Sequence, residues 1–210
     1  MVKICGITDV KTALIVDSLG ADAIGFVFAK SKRQISPDLA GEISSQLSPR
    51  IEKVGVFVNE TKEQIDKIIK LAKLTMVQLH GEESPEFCQS LSVPVIKAFS
   101  IGSKEDLLQI SKYSCEFILL DSPKGNYHGG NGVSFNWDIL VNLNLSHKKV
   151  ILAGGLQENN IVEAINKVKP YMVDVSSGVE TNGKKDLHKI KNFIEKTKKC
   201  SLLEGRGKSR

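Results

Sequence analysis

Closely spaced cysteines are absent from the chain. Its four cysteines lie far apart and include no C-x-x-C pair; they are Cys5, Cys88, Cys115 and Cys200. Cysteines at short spacing are the usual signature of structural zinc sites and of disulfide-rich secreted domains. Their absence argues against both classes and favours a reducing compartment such as the cytoplasm.

Long apolar runs are absent as well. No apolar stretch approaches the roughly 20 residues of a membrane span. The first apolar run begins at Val2, which leaves no room for a signal peptide. We therefore expect a soluble, cytoplasmic protein with no membrane partner.

Basic residues are in excess only near the C-terminus. The 210-residue chain has a net charge of +5, but residues 184–210 contain ten Lys and Arg against three Asp and Glu, so residues 1–183 carry −2. A nucleic-acid groove needs basic residues spread over a face of the folded body, and we expect no nucleic-acid partner. The basic run is interpreted as a solvated helix face, followed by a disordered basic tail over residues 200–210.

Strand and helix patterns alternate along the chain. The β-rich runs are VKIC, ADAIGFVF, EKVGVFV, MVQLH, VPVIKAF, CEFILLD, KKVILAGG and YMVDVSSG, with helical patterns between them. Strict alternation favours parallel strands with right-handed crossovers, and eight such units close into a barrel. The rival is an open doubly wound sheet, which usually has a phosphate loop after its first strand, and CGIT is no such loop. The sequence therefore predicts an α/β protein with one small (β/α)8 barrel domain over residues 1–199.

Catalytic groups of such barrels lie at the C-terminal ends of the strands. The candidates at these positions are Cys5, Arg33, His80, Asp121, Gly154, Gly155, Asp174, Ser176, Ser177 and Gly178. Lys3 and Cys5 share one face of the first strand, and Val2 and Ile4 share the other. If the aliphatic pair meets the helices, Cys5 points into the barrel. A thiol there is either a chemical group or a small core residue, and the strand pattern alone leaves both open.

Two glycine-containing loops follow the last two strands, AGGL and SSGV. Glycines allow backbone N–H groups to approach an anion, and barrels frequently bind phosphate between these loops. Gly154, Gly155, Ser177 and Gly178 are therefore predicted to bind phosphate. A third glycine cluster, HGGNG at 128–132, is interpreted as a flap in the connection after the sixth strand.

Several motifs together resemble the phosphoribosylanthranilate isomerase family. They are KICGIT, GFVF with SKRQIS, VQLHG, LLD with GGNGVSFNW, AGGL and DVSSGVE. The resemblance implies a barrel of the ribulose-phosphate-binding type. It also implies the Amadori rearrangement of N-(5′-phosphoribosyl)anthranilate to 1-(2-carboxyphenylamino)-1-deoxyribulose 5-phosphate. This isomerisation of an aldose to a ketose is a step of tryptophan biosynthesis that uses no cofactor and no metal.

The resemblance also assigns roles to individual residues. It implies that Cys5 is the general base and Asp121 the general acid. Arg33 is expected to bind the anthranilate carboxylate. His80 and Asp174 are expected to be inward polar residues at the substrate site. For His80, a purely structural hydrogen bond is the alternative. Ser176 joins the four loop residues of the phosphate site.

The sequence departs from the family pattern at two positions. The segment FAKSKR lacks a proline and is one residue shorter than the family's F-x-P-x-S-x-R, so Lys32 or Lys30 is an alternative to Arg33. Asn136 stands where Asp is usual, and either residue caps a helix.

The chemistry requires one proton donor and one proton acceptor. Asp121 must be protonated to open the ribose ring, and Cys5 must be a thiolate to remove the C2′ proton. Lys3, if it points inward, is expected to lower the pKa of Cys5. The alternatives are an indole-glycerol-phosphate synthase, a histidine-pathway isomerase, or a non-enzymatic anion-binding barrel. The expected assembly is a monomer or a homodimer.

Overall fold

Eight parallel strands form a closed barrel in the computed structural model of the chain, which describes residues 1–122, 137–140, 145 and 147–206. Each strand pairs with the next, and the last pairs with the first. The strands are β1 (Val2–Cys5), β2 (Ala23–Val27), β3 (Glu52–Phe57), β4 (Met76–Leu79), β5 (Val95–Ser100), β6 (Phe117–Asp121), β7 (Lys149–Leu152) and β8 (Met172–Val175). The predicted (β/α)8 barrel is confirmed.

In the described part of the chain, six α-helices lie in the connections between the strands and after β8. They are α1 (Val10–Ser18), α2 (Pro37–Gln46), α3 (Lys62–Leu71), α4 (Pro85–Gln89), α5 (Ile161–Val168) and α6 (Leu187–Arg206). Each of the helices α1 to α4 begins after a residue whose side-chain oxygen accepts a backbone N–H bond; these residues are Asp9, Ser36, Thr61 and Ser84. Such bonds satisfy N–H groups that have no partner within the first turn of a helix. Among the described residues, none of the helices combines the length and hydrophobicity of a membrane-spanning segment.

The connections after β5 and β6 differ from the expected α-helices. Residues Glu105–Lys112 form a 3₁₀ helix, and so do Trp137–Leu140. In the first of these, Leu107 and Ile110 face the core at a spacing of three residues, which matches the three-residue turn of a 3₁₀ helix. HGGNG and Asn136 lie outside the described residues.

The boundary predicted at residue 199 falls inside a helix. Helix α6 continues to Arg206, and Cys200 is buried, whereas the disorder of the tail over residues 200–210 stays a prediction. Leu202, Leu203 and Glu204 are good helix formers, which agrees with a helix that continues beyond Cys200. Residues 207–210 lie outside the described residues.

Alternate strand residues face opposite sides of the barrel wall. Val2 and Ile4 belong to the apolar layer between strands and helices. The apolar residues that fill the interior are Ala23, Val54, Met76, Ile96, Ala98, Leu119, Ile151, Ala153 and Met172. Lys3 reaches across the interior to Gln78 on β4. This contact confirms the prediction that Lys3 and Cys5 face the barrel interior while Val2 and Ile4 face the helices.

Candidate active site

Cys5 lies at the C-terminal end of β1, packed against a glycine of β2. A Cβ added at Gly25 would lie 2.6 Å from the Cys5 Sγ and 3.0 Å from its Cα. The two residues are register partners in the sheet, so only a glycine leaves room for the thiol. Cys5 is 7% exposed. Gly25 therefore shapes the space that Cys5 occupies.

Lys3 is a buried cation directly below Cys5. Its Nζ donates to Asp174 Oδ2 and to Gln78 Oε1, both at 2.9 Å, and it contacts the Cys5 thiol. Burial alone lowers the pKa of an ammonium, but Asp174 and Cys5 raise the pKa of Lys3 above its usual value. Lys3 therefore stays charged at neutral pH and places a positive charge beside the thiol.

Burial raises the pKa of the Cys5 thiol above its ordinary value, although the charge of Lys3 acts in the opposite direction. Asp174 raises the pKa further, and Lys185 lowers it. The expected direction of the Lys3 effect is thus confirmed, but the net shift is opposite, because desolvation of the thiolate outweighs the attraction of the lysine. Without substrate, Cys5 is a neutral thiol at neutral pH.

Asp121 and His80 are adjacent at the ends of β6 and β4. The His80 Nε2 lies 3.5 Å from Asp121 Oδ2, and the other ring nitrogen lies 3.3 Å from the Gln78 amide. Asp121 Oδ1 accepts the backbone N–H of Ser122 at 2.8 Å. A chain of polar contacts therefore runs across the barrel from Asp121 through His80, Gln78 and Lys3 to Cys5.

Asp174 faces the same interior from β8. One carboxylate oxygen accepts from Lys3, and the other, Oδ1, is buried and has no hydrogen-bond partner in the described part of the chain. Buried carboxylate oxygens are normally satisfied. Oδ1 is therefore a ready acceptor for a hydroxyl of a bound molecule.

Arg33 reaches the mouth of the barrel from the loop after β2. The loop is closed by a bridge between Val27 and Gln34, and the Arg33 side chain lies over Gly6, where an added Cβ would be 2.5 Å from the Arg33 Cδ. Lys30 and Lys32 are exposed. Of the three basic side chains on this loop, Arg33 is thus the one beside Cys5, despite the shortened segment.

Glu180 holds the Arg33 guanidinium in a two-bond pair. The Nε and Nη2 atoms donate to the two carboxylate oxygens at 2.6 and 2.9 Å, and Lys185 Nζ donates to the first oxygen at 2.9 Å. Burial raises the pKa of Glu180, but its bonds to Arg33 and Lys185 outweigh burial and hold that pKa at about 2. The carboxylate is therefore ionised at any physiological pH.

The two predicted phosphate loops pack against each other. A Cβ at Gly178 would lie 1.8 Å from the Leu156 carbonyl oxygen, so the loop after β8 rests on the loop after β7. Gly154 and Gly155 have φ of +83° and +64°, conformations that glycine adopts without strain. Apart from its chain neighbours, no residue in the described part of the chain has an atom within 4 Å of the Cβ position of Gly155, which leaves room for an anion.

The Ser176 hydroxyl has a contact within the protein. It donates to the Cys5 carbonyl oxygen at 3.0 Å, and Lys185 donates to the Ser176 carbonyl oxygen at 2.9 Å. The Ser176 side chain thus connects the loop after β8 to the end of β1. Phosphate binding by Ser176 stays a prediction. Ser177 and Gly178 begin the short 3₁₀ helix Ser177–Val179, which precedes the hairpin of β9 (Glu180–Thr181) and β10 (Lys184–Lys185).

One end of the barrel thus combines a thiol, a carboxyl group across the interior, two cations at the mouth and two adjoining glycine loops. A sequence-family model for N-(5′-phosphoribosyl)anthranilate (PRA) isomerase matches residues 2–196. The chain belongs to this family. It is accordingly an isomerase, and the family's reaction is a step of tryptophan biosynthesis.

Relatives and solved structures of the family resemble the chain over nearly its whole length. The N-(5′-phosphoribosyl)anthranilate isomerase of Bacillus mycoides is 55% identical over 201 residues, which are 95% of this chain and 98% of the relative. The phosphoribosyl anthranilate isomerase of Thermotoga maritima is 45% identical, with a TM-score of 0.87 over 94% of this chain and 98% of that one. A family structure in complex with reduced 1-(o-carboxyphenylamino)-1-deoxyribulose 5-phosphate is 43% identical, with a TM-score of 0.82 and the same coverage.

Four residues at this end of the barrel are absent from the sequence-based candidates: Gly25, Gln78, Glu180 and Lys185. Gly25 and Gln78 could have been selected from the sequence, because each interrupts a strand that is otherwise apolar. Glu180 and Lys185 lie beyond β8 in a hairpin, and nothing in their spacing indicates that they fold back onto Arg33. Gly25, Gln78 and Glu180 lie within the motifs GFVF, VQLHG and DVSSGVE, but the resemblance was not used to assign them a role.

Proposed function

We propose that this end of the barrel catalyses the Amadori rearrangement of N-(5′-phosphoribosyl)anthranilate, with Asp121 as the acid and Cys5 as the base. The observation that carries the proposal is the placement of the two groups. They end strands on different sides of one barrel, connected by a chain of polar contacts through Lys3, and the glycine loops lie at the same end.

Asp121 is proposed to give a proton to the ring oxygen of the ribose. The bond from that oxygen to C1′ then breaks, and the aniline nitrogen supplies its lone pair to form an iminium ion. His80 and the Ser122 N–H both contact the Asp121 carboxyl. They support the proposal because they fix its orientation, on which general acid catalysis depends.

Cys5 is proposed to take the C2′ proton from the iminium ion. The electrons of the C2′–H bond form the C1′=C2′ double bond, and the iminium nitrogen becomes neutral. The resulting enol becomes the ketone when C1′ takes up a proton and the C2′ hydroxyl loses its proton. The raised pKa of Cys5 makes it a stronger base once ionised, and the positive iminium, with Lys3, favours the thiolate when the proton must move.

The anionic groups of the substrate match the charges around the mouth. Arg33 is proposed to bind the anthranilate carboxylate, and Gly154, Gly155, Ser177 and Gly178 are proposed to donate backbone N–H groups to the phosphate. The open oxygen of Asp174 is proposed to accept a ribose hydroxyl. All four cysteines are unpaired by disulfides, which supports an assignment to a reducing cytoplasm.

The alternative enzymes have weaker support. A histidine-pathway isomerase would be expected to have aspartates at strands one and five, and here β1 ends in Cys5 and β5 in Ser100. A synthase would be expected to use a catalytic lysine with glutamates. Lys97 and Glu83 form a buried pair at 3.1 Å, but Lys97 alternates with the interior residues Ile96 and Ala98 and therefore faces away from the barrel interior.

A direct assay tests the proposed function. Purified protein, without added metal or cofactor, is expected to convert freshly made phosphoribosylanthranilate, followed by loss of its fluorescence. The rate should be unchanged by a chelator. Folded protein that converts the compound only at the uncatalysed rate, or activity that a chelator abolishes, would contradict the proposal.

A further inference from the structure

The Arg33 side chain is anchored by one carboxylate. Two of its guanidinium nitrogens, Nε and Nη2, donate to the two oxygens of Glu180. A guanidinium has five N–H donors arranged as two forks. One fork therefore belongs to Glu180, and the other, formed by Nη1 and Nη2, has no partner among the described residues and can bind a second carboxylate.

Glu180 is itself held rigidly. Its side chain is only 6% exposed, and its carboxylate contacts Arg33, Lys185 and, at 3.7 Å, the rim residue Lys32. Lys189 Nζ donates to the Glu180 carbonyl oxygen at 2.8 Å, and the short β9–β10 hairpin fixes the backbone. The anchor is therefore held through both its side chain and its backbone.

The cluster of Arg33, Lys185 and Glu180 has a net positive charge, which favours the binding of an anion. Arg33 and Lys185 are positive, and among the residues that the structure describes, Glu180 is the one carboxylate that forms an ion pair with both. Both cations also interact electrostatically with Cys5. A substrate carboxylate bound here would balance the charge and place the aromatic ring next to the base.

We propose that Glu180 is a positioning residue, which holds one fork of Arg33 beside Cys5 so that the other fork binds the substrate carboxylate in two bonds. The inference rests on the proposed function of the site. It differs from a competing role, in which Glu180 would occupy Arg33 until the substrate displaces it, because competition predicts tighter substrate binding when Glu180 is neutralised.

Steady-state kinetics of Glu180→Gln with two substrates test the inference. With phosphoribosylanthranilate, the KM is expected to rise about tenfold or more while kcat stays within about twofold, because a misplaced positioning group costs up to about 10²-fold. With N-(5-phosphoribosyl)aniline, which lacks the carboxylate, the variant and the wild type should have equal kcat/KM. Glu180→Asp should give an intermediate KM, and it replaces the Gln variant in the test if the latter does not fold.

The matched control is Glu116→Gln, which makes the same change in an exposed ion pair with Lys149 and should leave both constants unchanged. An unchanged or lower KM in the Glu180 variant would overturn the inference, as would an equal loss with both substrates, which indicates a structural role alone. Failure of the proposed function would be seen separately, as a wild-type protein that converts neither substrate.

Discussion

Lys3 gives Cys5 a setting that a core cysteine does not need. A buried ammonium is costly unless it is paired, and Lys3 is paired with Asp174 and Gln78 in the middle of an otherwise apolar barrel. Replacing such a group with an apolar residue is often neutral or stabilising. Its presence directly below the thiol is therefore better explained by the charge that proton transfer requires than by stability.

The substitution Asp121→Asn tests whether Asp121 is the general acid. The amide is nearly isosteric with the carboxyl group but cannot supply the proton for ring opening, so kcat should fall by about 10² or more. Binding of a reduced product analogue and the thermal midpoint should stay close to the wild type. Turnover number, calorimetric binding and thermal unfolding measure the three quantities.

Asp66→Asn is the control for that substitution. Asp66 forms an i,i+4 pair with Lys62 on α3, remote from the candidate site, and both side chains are half-buried; an i,i+4 helix pair contributes only about 0.3–0.5 kcal/mol. Its turnover should equal that of the wild type. An Asp121→Asn variant that keeps more than about a tenth of wild-type turnover would rule out Asp121 as the acid.

Among the elements, the strands were more predictable from sequence than the segments that follow them. Strand periodicity placed Cys5 and Asp121 at strand ends, and the structure has them there. The pairing of Arg33 with Glu180 could not be predicted, because it joins residues 147 positions apart through a hairpin that has no local pattern. The 3₁₀ helix at Glu105–Lys112 was also missed, since spacings of three residues occur in α-helices as well.

Gly25→Ala tests how neighbouring strands shape the site. The added methyl group would overlap the Cys5 thiol and approach the Cys5 backbone. Strands β1 and β2 must therefore shift where Cys5 lies. We expect a destabilisation of about 1–3 kcal/mol, as for other overpacked cores, together with a loss of turnover larger than the fraction of unfolded protein explains. Denaturant unfolding and kcat measure the two effects.

Gly55→Ala on β3 is the matched control. Its added Cβ would lie 2.4 Å from Leu74 Cδ1 and 2.8 Å from Phe57 Cε2, so it overpacks the outer layer and does not touch Cys5. A similar loss of stability with near-normal turnover is expected. Equal loss of turnover in both variants would show that Gly25 acts through stability alone.

At the scale of the whole molecule, closure of the barrel brings the two proton carriers into one site. Cys5 and Asp121 are 116 positions apart in the chain. The pairing of β1 with β8 and of β4 with its neighbours holds the Lys3, Gln78 and His80 contacts between them. In the described part of the chain, the basic residues after position 183 lie on α6 and the β9–β10 hairpin, and Lys185 and Lys189 among them contact Glu180 at the candidate site.

The turnover number of Cys5→Ser tests the central claim most directly. Serine is close to cysteine in size and fits against Gly25, but its hydroxyl is far too weak an acid to be an alkoxide at neutral pH. If Cys5 is the base, the variant keeps its thermal midpoint and its affinity for a product analogue but loses at least about 10² in turnover. If instead Cys5→Ser retains more than about a tenth of wild-type turnover, the thiol is a packing residue and the proposed mechanism is wrong.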